Sequence, residues 1–309
     1  MSFRTILQWV APAVVTLAGL AWIFSRIGLQ SVADRLSVDS LSLLIPTLVV
    51  FCAGSLWIEA ECLVRLLPGS RDVFQLSTAS RIKAASYPLA LLHYAIGMAG
   101  LSILLSRRTG HTIAEATGVV ALITLFDIGI QLVLMVAGIT ALGTQGPAAQ
   151  IGVATLVVAA IILGFIGLRT TTSLGPLDRI RKLAIFDAAR STPLRLLAEL
   201  AAFRFVFALF FVALIGLSCR AFGIEVPWTY LLATVPVLIV VAIIPSIAGL
   251  GTGQIAFVEL FGQYGDGGTL LACSLALSTG LLVMRASIGL LFAREFTREA
   301  LAATRATEP

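Results

Sequence analysis

A chain of 309 residues that is 59% hydrophobic and 12% charged has too little polar surface for a soluble globular domain. Its 21 Lys and Arg against 16 Asp and Glu give a net charge of +5, which in such a chain reports loop topology and not nucleic-acid binding. The loops are too short to hold an independent catalytic domain. The expectation is an all-α polytopic membrane protein with about six full transmembrane helices plus two re-entrant helical hairpins in an inverted-repeat arrangement.

The apolar runs fall at 5–24, 41–64, 84–106, 117–142, 150–168, 198–219, 229–264 and 267–292. The first is longer than the ~7–15 residues of a signal-peptide core and no cleavage site follows, so it reads as an uncleaved helix. The second ends in Glu59, Glu61 and Arg65, where the i,i+4 spacing of Glu61 and Arg65 suits an interfacial ion pair.

Pro88, Gly97 and Gly100 weaken the run 84–106 as one helix. It reads as a first re-entrant hairpin with His93 and Tyr94 at its tip. His93 is a proton-linked or lipid-phosphate-binding candidate there, against the plainer reading of a hydrogen-bonded structural residue. Asp127 lies near the middle of 117–142 and Arg285 late in 267–292. Ionisable residues at membrane depth are expensive and so are candidates for function. Their equivalent places suggest an Asp127–Arg285 ion pair, serving translocation or clamping the two halves. Arg204, in the first turns of 198–219, reads as a side chain snorkelling to the interface.

The run 229–264 exceeds the ~20 residues of one crossing and falls short of two crossings with a turn. Pro245, Gly249, Gly251 and Gly253 break its middle, so it reads as a second re-entrant hairpin. Backbone groups freed at the turn must face protein or a wet cavity. Half-helix N-termini would aim N–H groups at that turn, which suits an anionic head group; close helix packing is the other use of such glycines. Gln254 and Glu259 lie in the second arm.

Lys and Arg mark sidedness. The segment 169–197 carries Arg169, Arg179, Arg181, Lys182, Arg190 and Arg195, and the tail carries Arg294, Arg298 and Arg305. Both belong in the cytoplasm, which requires the 229–264 segment to return to its own side. If 84–106 also returns, every loop Lys and Arg lies inside except Arg26, Arg35 and Arg220. Within 177–197, basic and apolar residues alternate at helical spacing, as in a segment lying on the inner leaflet or in a plain basic loop.

The two hairpin-plus-helix units, 84–142 and 229–292, echo each other: IGMAGLSILLSRRTG against IAGLGTGQIAFVELFGQYG. Their opposite orientation is the inverted symmetry of many alternating-access transporters. Cys52, Cys62, Cys219 and Cys273 have no CxxC spacing and read as free, buried, small hydrophobes. No His or Cys cluster has ligand spacing, and no nucleophile–base set stands out, so no metal, cofactor or enzymatic activity is expected.

With these residues in view, the chain resembles the lysylphosphatidylglycerol synthase transmembrane family, a flippase-like membrane domain. The resemblance rests on PSIAGLGTGQ, Pro245 to Gln254, and more weakly on IGMAGLSILLSRRTG; Asp127 and Arg285 match acidic and basic positions of the family. Gln254 and Leu101 stand where the family has Glu, which removes charge from the implied translocation centre. The resemblance implies movement of a lipid or polyprenyl-linked molecule between leaflets, with a hopanoid-type lipid as one cargo, and not lysyl-lipid synthesis.

The expected function is therefore a bacterial inner-membrane lipid transporter with both termini cytoplasmic. Its translocation residues would come from Asp127, Arg285, Glu259, Gln254, Gly249, Gly251, Gly253, Pro245, His93 and Arg204. Membrane lipids are the expected partners, with lipid-synthesis enzymes and a second copy of the chain as further candidates. The alternatives are a small-molecule transporter coupled to H⁺ or Na⁺ through Asp127 or Glu259, and a non-transporting scaffold for lipid-synthesis enzymes.

Overall fold

The computed structural model describes residues 35, 37–67, 75–92, 94–141, 148–170, 179, 182–242 and 251–306. The expectations placed on the first span 5–24 and on His93, Pro245 and Gly249 lie outside these residues. All regular structure among the described residues is helical: α1 (Val38–Leu66), α2 (Leu76–Leu92), α3 (Tyr94–Thr109), α4 (Ile113–Ala141), α5 (Ala148–Arg169), α6 (Asp187–Ser191), α7 (Leu194–Ala221), α8 (Trp228–Ala242), α9 (Thr252–Phe261) and α10 (Gly267–Ala306), with a 3₁₀ turn at Ala184–Phe186. Four helices are long and apolar enough to cross a membrane: α1, α4, α7 and the Gly267–Phe292 part of α10.

Local chemistry sets the helix ends. Ser37 caps α1 by accepting the Ser40 N–H at 3.1 Å. Thr112 and Glu115 form a reciprocal capping box at the start of α4, with the Glu115 N–H on Thr112 Oγ1 and the Thr112 N–H on Glu115 Oε2. α7 ends in a Schellman motif, in which the Ile224 N–H returns to the Cys219 carbonyl and the Gly223 N–H to Arg220. Gly223 supplies the left-handed φ of +71° that this motif demands. At the start of α10 the Thr269 hydroxyl and backbone N–H both donate to Asp266, and these bonds hold its carboxyl below its usual pKa.

The expected break near residue 93 is present. α2 and α3 are separate helices that pack on each other, and Gly97 lies so close to Ala90 that a Cβ would come within 2.5 Å of it. The first arm begins at Leu76, upstream of the boundary expected at 84. The second pair, α8 and α9, also folds back. Tyr230 near the start of α8 donates to the Leu260 carbonyl near the end of α9 at 2.7 Å, and its ring meets those of Phe261 and Tyr264. At 10 residues, α9 is ~15 Å long, well under the ~30 Å hydrocarbon thickness.

α1 and α7 pack along each other, with Gly54 beneath the Phe210 ring. α1 also packs on α2 and α10, and α7 on α4 and α8. The first arm α2 lies on α10, where Gly289 meets Pro88; the first arm α8 lies on α4, where Gly138 meets Ala233. The second arms α3 and α9 pack on the long helices that follow them, α4 and α10.

Two apolar cores result, one toward each end. One gathers the C-terminal part of α1, α2, α3 and the starts of α4 and α7 around Leu63, Ile82, Leu104, Leu105 and Leu200. The other gathers the first half of α1, the second half of α7, α8, α9 and the start of α10 around Phe51, Ile224, Phe261 and Leu270. The first end is strongly basic. There Arg65 bonds both Glu61 and Glu199, at 3.1 and 2.5 Å, and Arg169 donates to the Thr192 carbonyl. The i,i+4 pair expected of Glu61 and Arg65 is thus present, extended to α7.

Residues 184–191 do not form an open loop. Their 3₁₀ turn and α6 pack on α4, with the Ile185 carbonyl against Gly118. Gly118 leaves room for this direct backbone contact. The four cysteines are buried and free, as expected.

Candidate functional site

Five helices contribute ionisable side chains to one region inside the apolar bundle. α7 begins at Leu194, so Arg204 lies ten residues in, ~15 Å along the helix from its basic end. It is 1% exposed. A side chain at that depth cannot snorkel, and the sequence expectation for Arg204 is overturned. Its Nη1 donates to both carboxylate oxygens of Asp127 on α4 at 3.2 Å. The guanidinium also lies over the Phe207 ring and beside the Cys62 thiol.

The pair expected between Asp127 and Arg285 is therefore replaced by Asp127–Arg204. The reason is packing: α4 lies against α7 and α8, whereas α10 lies against α2, α1 and α9. Arg285 instead sits over the Tyr87 ring, 5.6 Å from its centre. Tyr87 donates to Glu59 Oε2 at 3.2 Å, and Lys83 holds Glu59 Oε1 at 3.2 Å. The fields of Arg204 and Arg285 both reach Glu59. Glu59 was expected in an interfacial patch with Glu61 and Arg65; it turns inward because α2 covers this part of α1.

Lys83 and Tyr87 were missed as site residues. Their i,i+4 spacing, opposite an intramembrane Glu, was the available signal. Near the same region the Tyr94 and Thr124 hydroxyls meet at 3.5 Å. Asp127 keeps 29% of its side chain exposed, and residues 123–130 of α4 are each partly exposed around the whole helix.

Of the glycine-rich turn, the described residues begin at Gly251. Gly251 adopts φ +90°, and its N–H is taken by Gln254 Oε1 at 2.6 Å. Gln254 is fully buried, and its Nε2 donates to Ser278 on α10 at 3.2 Å. This N–H at the start of α9 is thus satisfied from within the chain. Gln254 acts as a clasp between turn and helix, which uses both ends of an amide. Gln254→Ala is expected to destabilise the fold by about 1–3 kcal/mol by leaving the buried Gly251 N–H unpaired, while Gln254→Glu keeps the Gly251 bond and accepts from the Ser278 hydroxyl. Thermal unfolding of the two variants in detergent checks this; equal losses would contradict it. Gly253 is partly exposed, with nothing within 4 Å of its Cβ position. Glu259 is exposed on α9, a helix packed on α8 and α10, and takes no part in the cluster.

These features define the chain as a multi-pass α-helical membrane protein with a charged cluster inside its bundle. The family model for the lysylphosphatidylglycerol synthase TM region matches residues 8–289, and the chain belongs to that family. No curated protein and no solved structure matches it significantly. The family marks a membrane protein of lipid-related function.

Proposed function

We propose that this protein is a flippase-like lipid transporter of the bacterial inner membrane, carrying its cargo between leaflets without covalent change. Both termini are cytoplasmic in this reading, and 84–142 and 229–292 are two inverted hairpin-plus-helix units. The packing order supports the inversion. Each first arm lies on the long helix of the other unit, each second arm on the long helix of its own, and α1 pairs with α7 between them. The basic end, with Arg65, Arg169 and Arg195, supports a cytoplasmic place for that side.

One observation carries the transport reading: Glu59, Lys83, Asp127, Arg204 and Arg285 converge within the bundle on helices apolar enough to cross a membrane or packed against them. Charges gathered in this number at membrane depth are candidates for a substrate path. The apolar window of α10 is only 11% buried, against 33–39% for the other three spans, and α4 is loosely packed around Asp127. Those two helices border the cluster and leave room for a lipid to reach it from the side.

Leaflet exchange of a fluorescent short-chain phospholipid in reconstituted vesicles tests the proposal. Wild-type protein is expected to accelerate exchange, and Lys83→Gln to slow it by about tenfold, equivalent to ~1.4 kcal/mol at the barrier. Equal rates with and without protein would overturn it. Ion coupling through Glu259 receives no support from its exposed place on α9.

A further inference from the structure

The charged cluster is unbalanced. Lys83, Arg204 and Arg285 bring three cations, while Glu59 and Asp127 bring two carboxylates. Among the described residues, the buried Nε and Nη2 of Arg204 and Nε of Arg285 have no hydrogen-bond partner. Among the described residues no carboxylate lies within ion-pair distance of Arg285. The Cys62 thiol beside Arg204 is a weak acceptor and cannot stand in for an anion. Buried guanidinium donors are rarely left unmade, and a guanidinium is always charged and shaped for paired acceptor oxygens. One turn along α4 from Asp127, the buried Gln131 Oε1 also has no partner: an acceptor awaiting a hydroxyl.

We infer that Arg204 and Arg285 form an oxyanion site, taking a phosphate-bearing head group of net negative charge. This deepens the transport reading by naming its cargo class. Glu59 lies within the field of both arginines and holds Lys83 and Tyr87, so it spaces the cations and keeps them from collapsing onto one partner. The Tyr94 and Thr124 hydroxyls offer neutral contacts where the cluster opens; Tyr94 is 55% exposed.

The test titrates the purified full-length protein in a neutral detergent with dihexanoyl phosphatidylglycerol, dihexanoyl phosphatidylcholine or inorganic phosphate, following thermal unfolding. Phosphatidylglycerol is expected to stabilise the protein with an affinity about tenfold or more above that for phosphatidylcholine. Arg285→Gln, which breaks no ion pair, should remove that preference while leaving the ligand-free transition in place. Stabilisation by inorganic phosphate that also needs Arg285 supports the oxyanion site and makes a free oxyanion its ligand. Equal binding of both lipids overturns the inference, as does a preference that survives in Arg285→Gln. Leaflet exchange run in parallel separates the two readings. Preferential binding of phosphatidylglycerol without exchange keeps the oxyanion site and removes transport. Exchange of both lipids at one rate, with no binding preference, removes the oxyanion site and keeps transport.

Discussion

Asp127→Asn is expected to destabilise the protein by about 3–5 kcal/mol, the range for removing one partner of a buried ion pair. It should cost more than Arg204→Met, although Arg204 is the larger and more buried side chain. The asymmetry follows from what each change leaves behind. Without Asp127, Arg204 remains a guanidinium at 1% exposure that cannot shed its charge. Without Arg204, Asp127 retains 29% exposure and can take up a proton, while Met fills most of the vacated volume. The double variant should lose less than the sum of the two single losses, because the second change removes the charge stranded by the first. Chemical or thermal unfolding in detergent reads all three; additive losses would mean that the contact at 3.2 Å carries no coupling.

The second large effect is steric. Gly138→Val and Gly289→Val are each expected to destabilise by about 1–3 kcal/mol or to prevent assembly, through overpacking where first arm meets long helix. A Cβ on Gly138 would lie 2.4 Å from the Ala233 backbone nitrogen, and one on Gly289 would lie 2.4 Å from Pro88 Cδ and 3.0 Å from the Ala84 carbonyl oxygen. Backbone and a proline ring cannot swing aside as a long side chain can. Gly129 on the same α4 is the control, since nothing lies within 4 Å of its Cβ position, and Gly129→Ala should be tolerated. Monodispersity on gel filtration and the thermal midpoint check the three variants together. Harm from Gly129→Ala equal to that at Gly138 would show that helix flexibility, and not close approach, sets the requirement.

Much of this architecture was legible in the sequence because a bilayer imposes simple demands. Span length and apolarity locate α1, α4, α7 and α10 without knowledge of their neighbours. Pro and Gly positions located the break near 93, and the arginine distribution called for the 229–264 segment to return to its own side and fitted better if 84–106 did so too. What failed was pairing. Arg204 was read near an interface because the apolar run begins at 198, whereas α7 starts at Leu194 and carries the guanidinium a further turn inward. A few residues of error at a helix boundary turn a buried charge into an interfacial one. Glu59 was placed at the interface for another reason: the cover that α2 gives this part of α1 is a tertiary contact. The partner of Asp127 depended on which helix α4 faces, a tertiary fact with no local signature. The Gln254 clasp did have one: Gly251-x-x-Gln254 is the N-cap-to-N3 spacing of a capping box.

The contact of Pro88 with Gly289 bears on how a broken helix survives in oil. Pro88 has no N–H to offer the Ala84 carbonyl one turn earlier, and an oxygen stripped of its helical partner must be shielded from hydrocarbon. The Ala84 oxygen lies beside Gly289, where a bare Cα lets the α10 backbone cover it and supply a weak C–H donor. Proline and notch therefore work as lock and key where α2 meets α10. Either residue alone would be a defect; together they let the arm seat against the long helix with its freed carbonyl sealed.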